Sequence, residues 1–269
     1  MKKLTHTVSI TSGKGGVGKT TLICNTAIEL ARQGQKVLIL DGDLGMANVD
    51  LMFGRRANLT LEHVLRGQQD LKDIVCPMTE NIDLIAGGHG IYGMNALSSF
   101  DRQRLMDQVS LLNNQYDYML IDTAPGIDEN VLYLNSAARE IIVAVTPDPA
   151  SIKDSYALIK VLHQRYRETR FSVLANMVND EKEAKKVFER LSDVANHFLC
   201  VSLDYRGYVP LDLNLRQSTR NQSLISVTSP YSASAASIRD FASTLKTSRG
   251  VNQVKGGLQF FWQQLSGVA

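Results

Sequence analysis

The 269-residue sequence predicts an α/β fold of three layers, in which helices cover both faces of a mostly parallel sheet. Short apolar runs of the kind that form buried strands alternate with longer amphipathic segments. A glycine-rich octapeptide joins the first of these strands to the first helix, and aspartates stand at the ends of two later strands. These features together predict a binding site at the carboxyl edge of the sheet.

The predicted elements alternate along the chain. Strands are expected at residues 7–11, 36–41, 82–86, 118–122, 140–145, 171–176 and 198–203, and helices at 20–33, 101–115, 151–166 and 180–197. A serine-rich turn at 226–234 precedes one more helix that ends near residue 246. We therefore predict one α/β domain over residues 1–246, a flexible linker over 247–257 and a C-terminal amphipathic helix over 258–269.

Composition limits the class of protein. An apolar content of 44% is enough for one α/β core, and a net charge of +2 predicts neither an acidic tail nor a strongly basic surface. Cys24, Cys76 and Cys200 lack the spacing of a metal site, which favours free thiols in a reducing compartment. No run approaches the roughly 18 apolar residues of a membrane span, and the first residues do not resemble a signal peptide. We expect a cytoplasmic protein.

Residues 13–20, GKGGVGKT, match the phosphate-binding pattern G-x-x-x-x-G-K-[ST]. The glycines allow the backbone to form a nest of N–H groups at the start of a helix, which attracts phosphate. We expect Lys19 to contact the β- and γ-phosphates of a triphosphate and Thr20 to ligate Mg²⁺. A glycine turn that binds nothing is the alternative. The predicted nucleotide-binding residues of this segment are Gly13, Lys14, Gly15, Gly16, Val17, Gly18, Lys19, Thr20 and Thr21.

Lys14 occupies a position at which the pattern accepts any residue. We expect its side chain to leave the nest and face outward, away from the phosphates that Lys19 contacts. There it could serve a nucleotide held by a second copy of the chain, much as an arginine finger stabilises a transferring phosphoryl group. A solvated loop lysine is the alternative. The first interpretation makes Lys14 and Lys19 catalytic and predicts a homodimer with ATP.

Two aspartates end predicted strands beside this loop. Asp43 follows the second strand in the sequence DGD, and Asp122 ends the fourth strand after four apolar residues. A carboxylate at that edge can hold the Mg²⁺ shell through water or orient an attacking water molecule. We predict that Asp43 is catalytic and that Thr20, Asp43 and Asp122 hold the metal. The alternative roles are a turn cap for Asp43 and a strand-end cap for Asp122.

The loop resembles the deviant Walker A motif K-G-G-x-G-K-T of the MinD/ParA family of dimerising ATPases, which residues 14–20 match. Residues 41–50 are similar to the family's switch I pattern D-x-D-x-G-x-x-N-x-D, and residues 118–127, YMLIDTAPGI, resemble its Walker B strand and switch II. The sequence NMVN at 176–179 lacks the lysine and aspartate of the guanine-reading motif N-K-x-D. The resemblance implies ATP and Mg²⁺ as cofactors, with base contacts from Asn176, Pro210 and Asp212.

Four stretches resemble the flagellar-number regulators of that family, the FlhG subgroup that is also called FleN. They are DLGMANVDLMFG (43–54), DSYALIK (154–160), TRFSVLANM (169–177) and GGLQFFWQQL (256–265). The resemblance implies slow ATP hydrolysis and an ATP-dependent monomer–dimer switch in the cytoplasm and at the cell pole. It also implies control of flagellar number through the SRP-type GTPase FlhF, a transcription activator of the FleQ or FlrA type, and flagellar switch-complex proteins.

The last helix is predicted to be amphipathic, because Leu258, Phe261, Trp262 and Leu265 recur at i, i+3, i+4 and i+7. Three roles are open: an anchor on the inner surface of the cytoplasmic membrane, a partner-binding helix, or a helix that folds back on its own domain. The membrane anchor is preferred. It can alternate with the folded-back form according to nucleotide state.

The preferred hypothesis is an ATP-dependent switch whose output is binding rather than a product. A DNA-partitioning ATPase of the ParA type is the alternative, in which basic residues such as Arg216 and Arg220 would bind DNA. Residues 211–269 hold six basic and two acidic residues. This excess is modest, so no direct nucleic-acid contact is expected. A metabolic phosphotransferase is a third possibility, but the sequence offers no evident acceptor pocket.

Overall fold

An eight-stranded sheet forms the centre of the computed structural model, which describes residues 4–43, 48–88, 99–112, 115–248 and 257–266. The strands are β1 (His6–Thr11), β2 (Val37–Gly42), β3 (Cys76–Thr79), β4 (Ile82–Ala86), β5 (Tyr118–Thr123), β6 (Glu140–Val145), β7 (Arg170–Val178) and β8 (Ser202–Pro210). The order across the sheet is β3-β4-β2-β5-β1-β6-β7-β8, and neighbouring strands run parallel except β3 and β4. The predicted mostly parallel sheet is confirmed.

Helices bury both faces of this sheet. Alternate residues of a strand point to opposite faces, so Val37 and Ile39 join one apolar cluster while Leu38 and Leu40 join another. The three-layer prediction is confirmed. The α-helices are α1 (Lys19–Arg32), α2 (Val49–Met52), α3 (Leu61–Leu65), α4 (Ser99–Leu112), α5 (Glu129–Ala137), α6 (Pro149–Tyr166), α7 (Glu181–Phe198), α8 (Leu213–Arg220), α9 (Ile225–Thr228), α10 (Ala233–Ser248) and α11 (Leu258–Leu265).

The central strands deliver the predicted site residues to one edge of the sheet. Strand β1 lies between β5 and β6, and all three run in the same direction. Ile10 pairs in register with Asp122, and Asp122 pairs in turn with Asp41. The glycine-rich loop leaves β1 at this edge. The phosphate loop and the strand-end aspartates therefore meet, as expected for parallel strands.

One predicted strand is misplaced, and several elements were not predicted. Of the apolar run at 198–203, only Ser202 and Leu203 belong to a strand, because α7 continues to Phe198 and β8 begins at Ser202. Strand β8 lies at the edge of the sheet and carries polar residues such as Arg206, so it lacks the continuous apolar pattern of a buried strand. The sequence patterns also did not predict β3, which forms an antiparallel pair with β4, or the helices α2, α3, α5, α8 and α9.

Parts of four other predictions lie outside the described residues. These are residues 44–47 of the predicted switch I, 113–114 of the helix predicted at 101–115, 249–256 of the predicted linker and 267–269 of the predicted C-terminal helix. The domain boundaries at 246 and 257 therefore stay predictions. Among the described residues, no helix combines the length and the apolar character that a membrane crossing requires.

Helix α11 folds back on the domain and packs against α4 and α5. Its four predicted membrane residues are at most 1% exposed. They join an apolar cluster that includes Leu105 and Val109 of α4 and Leu134 of α5, which we call the tail groove. The predicted amphipathic helix is present, and its apolar face covers this groove in the structure. The four side chains are Leu258, Phe261, Trp262 and Leu265.

Two contacts fix the ends of the docked helix. The Tyr133 hydroxyl of α5 donates to the carbonyl oxygen of Gln264 over 2.8 Å. Gly257, at the start of the helix, lies so close to β1 that an added Cβ would stand 3.1 Å from the Thr5 carbonyl oxygen. The folded-back arrangement is one of the three roles that the sequence left open. In this arrangement the apolar stripe faces the domain.

Candidate nucleotide-binding site

The backbone of the loop between β1 and α1 requires its glycines. Gly16 and Gly18 have φ angles of 77° and 94°, a region that strongly favours glycine. An added Cβ at Gly13 would stand 2.2 Å from the backbone of Asp154 in α6, so only glycine fits there. The loop is therefore shaped partly by its own conformation and partly by close packing on α6. Gly18 directly precedes the first residue of α1, which places the helix N-terminus at the loop.

Lys19 extends within the loop, and its predicted contact with the β- and γ-phosphates stays a prediction. Its side chain is buried, and its amine donates to the Ser12 hydroxyl over 3.1 Å. Burial lowers the pKa of Lys19, while the charges of Asp122 and Asp43 act in the opposite direction. Ser12 was not singled out from the sequence, although its position directly before Gly13 could have suggested it. A buried amine at the mouth of a helix N-terminus is suited to contact a phosphate group.

Thr20 and Asp122 are in direct contact. The Thr20 hydroxyl donates to one Asp122 carboxylate oxygen over 2.6 Å, and the other oxygen is buried without a hydrogen-bond partner among the described residues. A buried carboxylate oxygen that lacks a donor is suited to accept one from a metal-bound water. The structure thus brings together two of the three predicted metal-binding residues.

Asp41, which pairs in register with Asp122, is a further carboxylate at this site and was not among the predicted site residues. Burial raises the pKa of Asp41 to about 8, and the neighbouring charge of Asp122 acts in the same direction. Burial likewise raises the pKa of Asp122 to about 6, against the hydrogen bond from Thr20 and the charge of Lys19. Neighbouring buried carboxylates have a high electrostatic cost, which a divalent cation would relieve.

These residues fit Mg²⁺ held largely by phosphate and water. Within the described part of the chain, no three His, Cys, Asp or Glu side chains converge into an all-protein metal cage. Mg²⁺ usually keeps several waters and takes one or two protein ligands together with substrate phosphates. Thr20 and Asp122 supply that number of protein groups next to the loop.

Asp43 lies beside the loop, since its charge acts on Lys19, Asp41 and Asp122. Its backbone N–H donates to the Asp41 carboxylate over 3.1 Å, which holds the chain as it leaves β2. The predicted role of Asp43 in orienting water stays a prediction.

Lys14 faces out of the nest, but it has a partner within its own chain. Its amine forms an ion pair with Asp148, which caps the N-terminus of α6. Both side chains are 43% exposed. The hydrogen bond from Lys14, together with one from the Ala150 N–H, holds the pKa of Asp148 below its usual value. The Lys14 amine therefore points to the start of α6, and not into the phosphate loop where the Lys19 amine lies.

Asn176, one of the residues predicted to contact the base, forms hydrogen bonds within the protein in this structure. The Asn176 amide nitrogen donates to the Val17 carbonyl oxygen over 2.7 Å, and its carbonyl oxygen accepts from the Met177 N–H over 2.9 Å. Asn176 thus ties the end of β7 to the phosphate loop. Met177 has a φ of 58°, an uncommon left-handed conformation at the same edge. A contact between Asn176 and adenine stays a prediction.

Asp212 joins two helices near Pro210, which ends β8. Its carboxylate accepts from the Asn214 N–H over 2.8 Å, which caps α8, and from the Ser234 hydroxyl over 2.7 Å. These bonds lower the pKa of Asp212, although partial burial acts in the opposite direction. Asp212 is a structural cap here. The hydroxyl of Thr21, another residue of the predicted set, lies 3.5 Å from the hydroxyl of Thr219 in α8.

The chain matches the family described as an AAA domain over residues 5–175. It is 34% identical to the antiactivator FleN of Pseudomonas aeruginosa over 96% of this chain and 92% of FleN. It is 33% identical to the flagellum site-determining protein YlxH of Helicobacter pylori over 97% of this chain and 90% of YlxH. The solved structure of the MinD cell division protein from Aquifex aeolicus has a TM-score of 0.71 and 25% identity, covering 90% of this chain and 97% of that one.

The parallel sheet, the deviant phosphate loop and the paired Thr20 and Asp122 define a nucleotide-binding protein of the P-loop class, and the chain belongs to its MinD/ParA family. The chain spans nearly the full length of FleN and YlxH at about one-third identity. Within the family it is therefore an FlhG-like ATPase, as the sequence motifs predicted.

Proposed function

We propose that this chain is an ATP-dependent, dimerising MinD-like ATPase switch that regulates flagellar number and placement and whose membrane association depends on nucleotide. The names of its relatives FleN and YlxH, an antiactivator and a flagellum site-determining protein, support this role. The reaction is slow hydrolysis of ATP to ADP and phosphate, which resets the switch.

The division of labour between the two loop lysines carries the proposal. The Lys19 side chain is buried within the loop, whereas the Lys14 side chain points away from it to Asp148 and is 43% exposed. A lysine in that position is suited to contact a phosphate on a second molecule that faces the loop. ATP would join two chains through Lys14, while Thr20 and Asp122 hold Mg²⁺, whose charge stabilises the transferring phosphoryl group. Asp43 would orient the attacking water, and hydrolysis would separate the pair.

The docked tail supports a reversible association with membrane. The indole N–H of Trp262 is buried without an acceptor among the described residues, which costs about 1–3 kcal/mol. At a membrane surface the same N–H would find water or headgroup oxygens. The docked state is therefore not optimal for this side chain. Two tails in an ATP dimer would bind together, raising avidity by roughly 10²–10⁴ over one tail.

The partners follow from the same resemblance. We propose that the ATP form acts on a flagellar transcription activator of the FleQ or FlrA type, on the SRP-type GTPase FlhF and on switch-complex proteins. The site of action is the cytoplasm and the inner face of the cytoplasmic membrane, at the cell pole. The name antiactivator of the FleN relative supports the first of these targets.

Pairing is tested by light scattering with ATP and with ADP. The parent should pair only with ATP, Lys14→Ala should stay monomeric, and Asp43→Ala should remain paired because hydrolysis is blocked. Lys153→Ala removes an exposed lysine of α6 and serves as the control. If Lys14→Ala and Asp43→Ala both pair like the parent, the proposed roles of these residues are wrong.

Membrane association is tested by flotation with vesicles of phosphatidylglycerol and phosphatidylethanolamine. We expect flotation with ATP and little with ADP. Equal flotation with ATP and with ADP would show that membrane association does not depend on nucleotide. No flotation with either nucleotide would show that the chain does not bind this membrane. Salt-dependent DNA binding that appears only with ATP would favour a partitioning ATPase instead.

A further inference from the structure

Lys14 is fixed at both its main chain and its side chain in the single chain. The Ser12 hydroxyl donates to the Lys14 carbonyl oxygen over 2.6 Å. The Lys14 amine pairs with Asp148, and the two residues lie 134 positions apart in the sequence. The loop is also packed on α6 at Gly13. The lysine that is proposed to act on a second chain is thus held by its own chain.

Asp148 is well placed for this role. It is the N-cap of α6, where its carboxylate accepts from the Ala150 N–H over 3.2 Å. This bond fixes the carboxylate relative to the helix, and the helix N-terminus favours its negative charge. Asp148 therefore presents a fixed carboxylate to the Lys14 amine. The pair forms without any contribution from a nucleotide.

We infer that Asp148 is a positioning residue that holds Lys14 in the monomer and thereby raises the ATP concentration needed for pairing. The inference rests on the proposed function, since it assigns a cost to the movement that pairing requires. On this inference, the Lys14 amine leaves Asp148 in its own chain when it moves to a phosphate in the other chain. Each protomer then gives up one ion pair when the dimer forms.

The size of the effect follows from the exposure of the pair. Ion pairs between half-exposed side chains change an equilibrium constant by about twofold to fivefold. Because both protomers lose the pair, the dimer dissociation constant should change by about fourfold to twenty-fivefold. Higher salt should reduce the difference between the parent and a variant without the pair, since exposed charges are screened.

Asp148→Asn tests the inference, because asparagine still caps a helix but carries no charge. The matched control is Asp180→Asn, since Asp180 caps α7 by accepting from the Glu183 N–H over 2.8 Å. Two quantities are measured: the ATP concentration at half-maximal pairing, and the rate at which an amine-acylating reagent modifies Lys14 in the nucleotide-free chain, followed by mass spectrometry of peptides.

In the Asp148→Asn variant, Lys14 should be acylated faster and pairing should need a lower ATP concentration. The Asp180→Asn variant should match the parent in the acylation rate and in the ATP concentration for pairing. A merely structural role for Asp148 would not speed the acylation of Lys14. If Asp148→Asn pairs no better than the parent, or pairs worse, the inference is wrong while the proposed function stands. If the parent stays monomeric with ATP, the proposed function fails and the inference fails with it.

Discussion

Replacing Tyr133 by phenylalanine should release the C-terminal helix without changing the helix itself. The Tyr133 hydroxyl donates to the Gln264 carbonyl oxygen over 2.8 Å. That carbonyl belongs to the last turn of α11, where carbonyl groups lack a partner within the helix. The substitution removes this bond from the docked state only, because α11 no longer contacts Tyr133 when it lies on the membrane.

The expected magnitude is that of one partly buried hydrogen bond. Such a bond contributes about 0.5–1.5 kcal/mol net, which corresponds to about a twofold to tenfold change in the ratio of released to docked helix. The apparent membrane affinity of a protein scales with the fraction in the binding-competent state. Vesicle binding by the nucleotide-free Tyr133→Phe variant should therefore rise by about the same factor.

The assay is cosedimentation with phosphatidylglycerol-containing vesicles across a range of lipid concentrations, without nucleotide. Tyr166→Phe is the matched control, since Tyr166 stacks edge to face on Tyr133 with ring centroids 6.5 Å apart and lies on α6 rather than against the tail. Gly257→Val supplies a second route to release, because its side chain would crowd the Thr5 backbone.

The reasoning would be refuted if both Tyr133→Phe and Gly257→Val bound vesicles as weakly as the parent while a Trp262→Ala variant also showed no change. Unaltered binding across that set would mean that the docked helix does not compete with membrane. Weaker binding by Tyr133→Phe would mean that α5 and the tail meet the membrane as one unit.

Three further predictions concern the domain. Gly13→Ala should destabilise the fold by about 3 kcal/mol or more, because its Cβ would overlap the Asp154 backbone; thermal unfolding measures this. Asp122→Asn should keep the fold but lose the gain in nucleotide affinity that Mg²⁺ provides, as titration of a fluorescent ADP analogue with and without Mg²⁺ would show. Burial opposes ionisation of Glu140, but its bonds to His6, Arg206 and Ser172 hold its pKa below the usual value. Its contribution to stability is thus present above the unfolded-state pKa and is lost as pH falls through the folded-state pKa; Glu140→Gln should cost about 2–3 kcal/mol at pH 7 and flatten the acid side of the profile, measured by urea unfolding.

Local patterns predicted the parts of the site that are continuous in sequence. The loop at residues 13–20 identified itself because its glycines, its lysine and its threonine are neighbours in the chain. Thr20 and Asp122 could be paired from sequence because parallel strands end at one edge. The sheet was predicted well for the same reason, since buried parallel strands are apolar throughout.

Contacts between distant segments could not be predicted in this way. Nothing in the sequence near Lys14 indicates Asp148, since the ion pair depends on how α6 crosses the loop. Asp41 was passed over because the sequence shows that it ends a strand but not that it lies buried beside Asp122. The period of α11 predicted its apolar face, yet a period does not say which surface that face covers.

The tail groove lies between α4 and α5. Asn135 of α5 is fully buried and forms hydrogen bonds with Ser9 and Thr11 of β1. Because these bonds fix α5 to the sheet, α5 should keep its position when α11 is released. Release of α11 would then expose the apolar tail groove as well as the apolar face of the helix itself. Deletion of α11 should therefore lower the solubility of the protein, because it leaves the apolar groove exposed. In a cell, the undocked form should persist only where lipid or another protein covers these apolar surfaces.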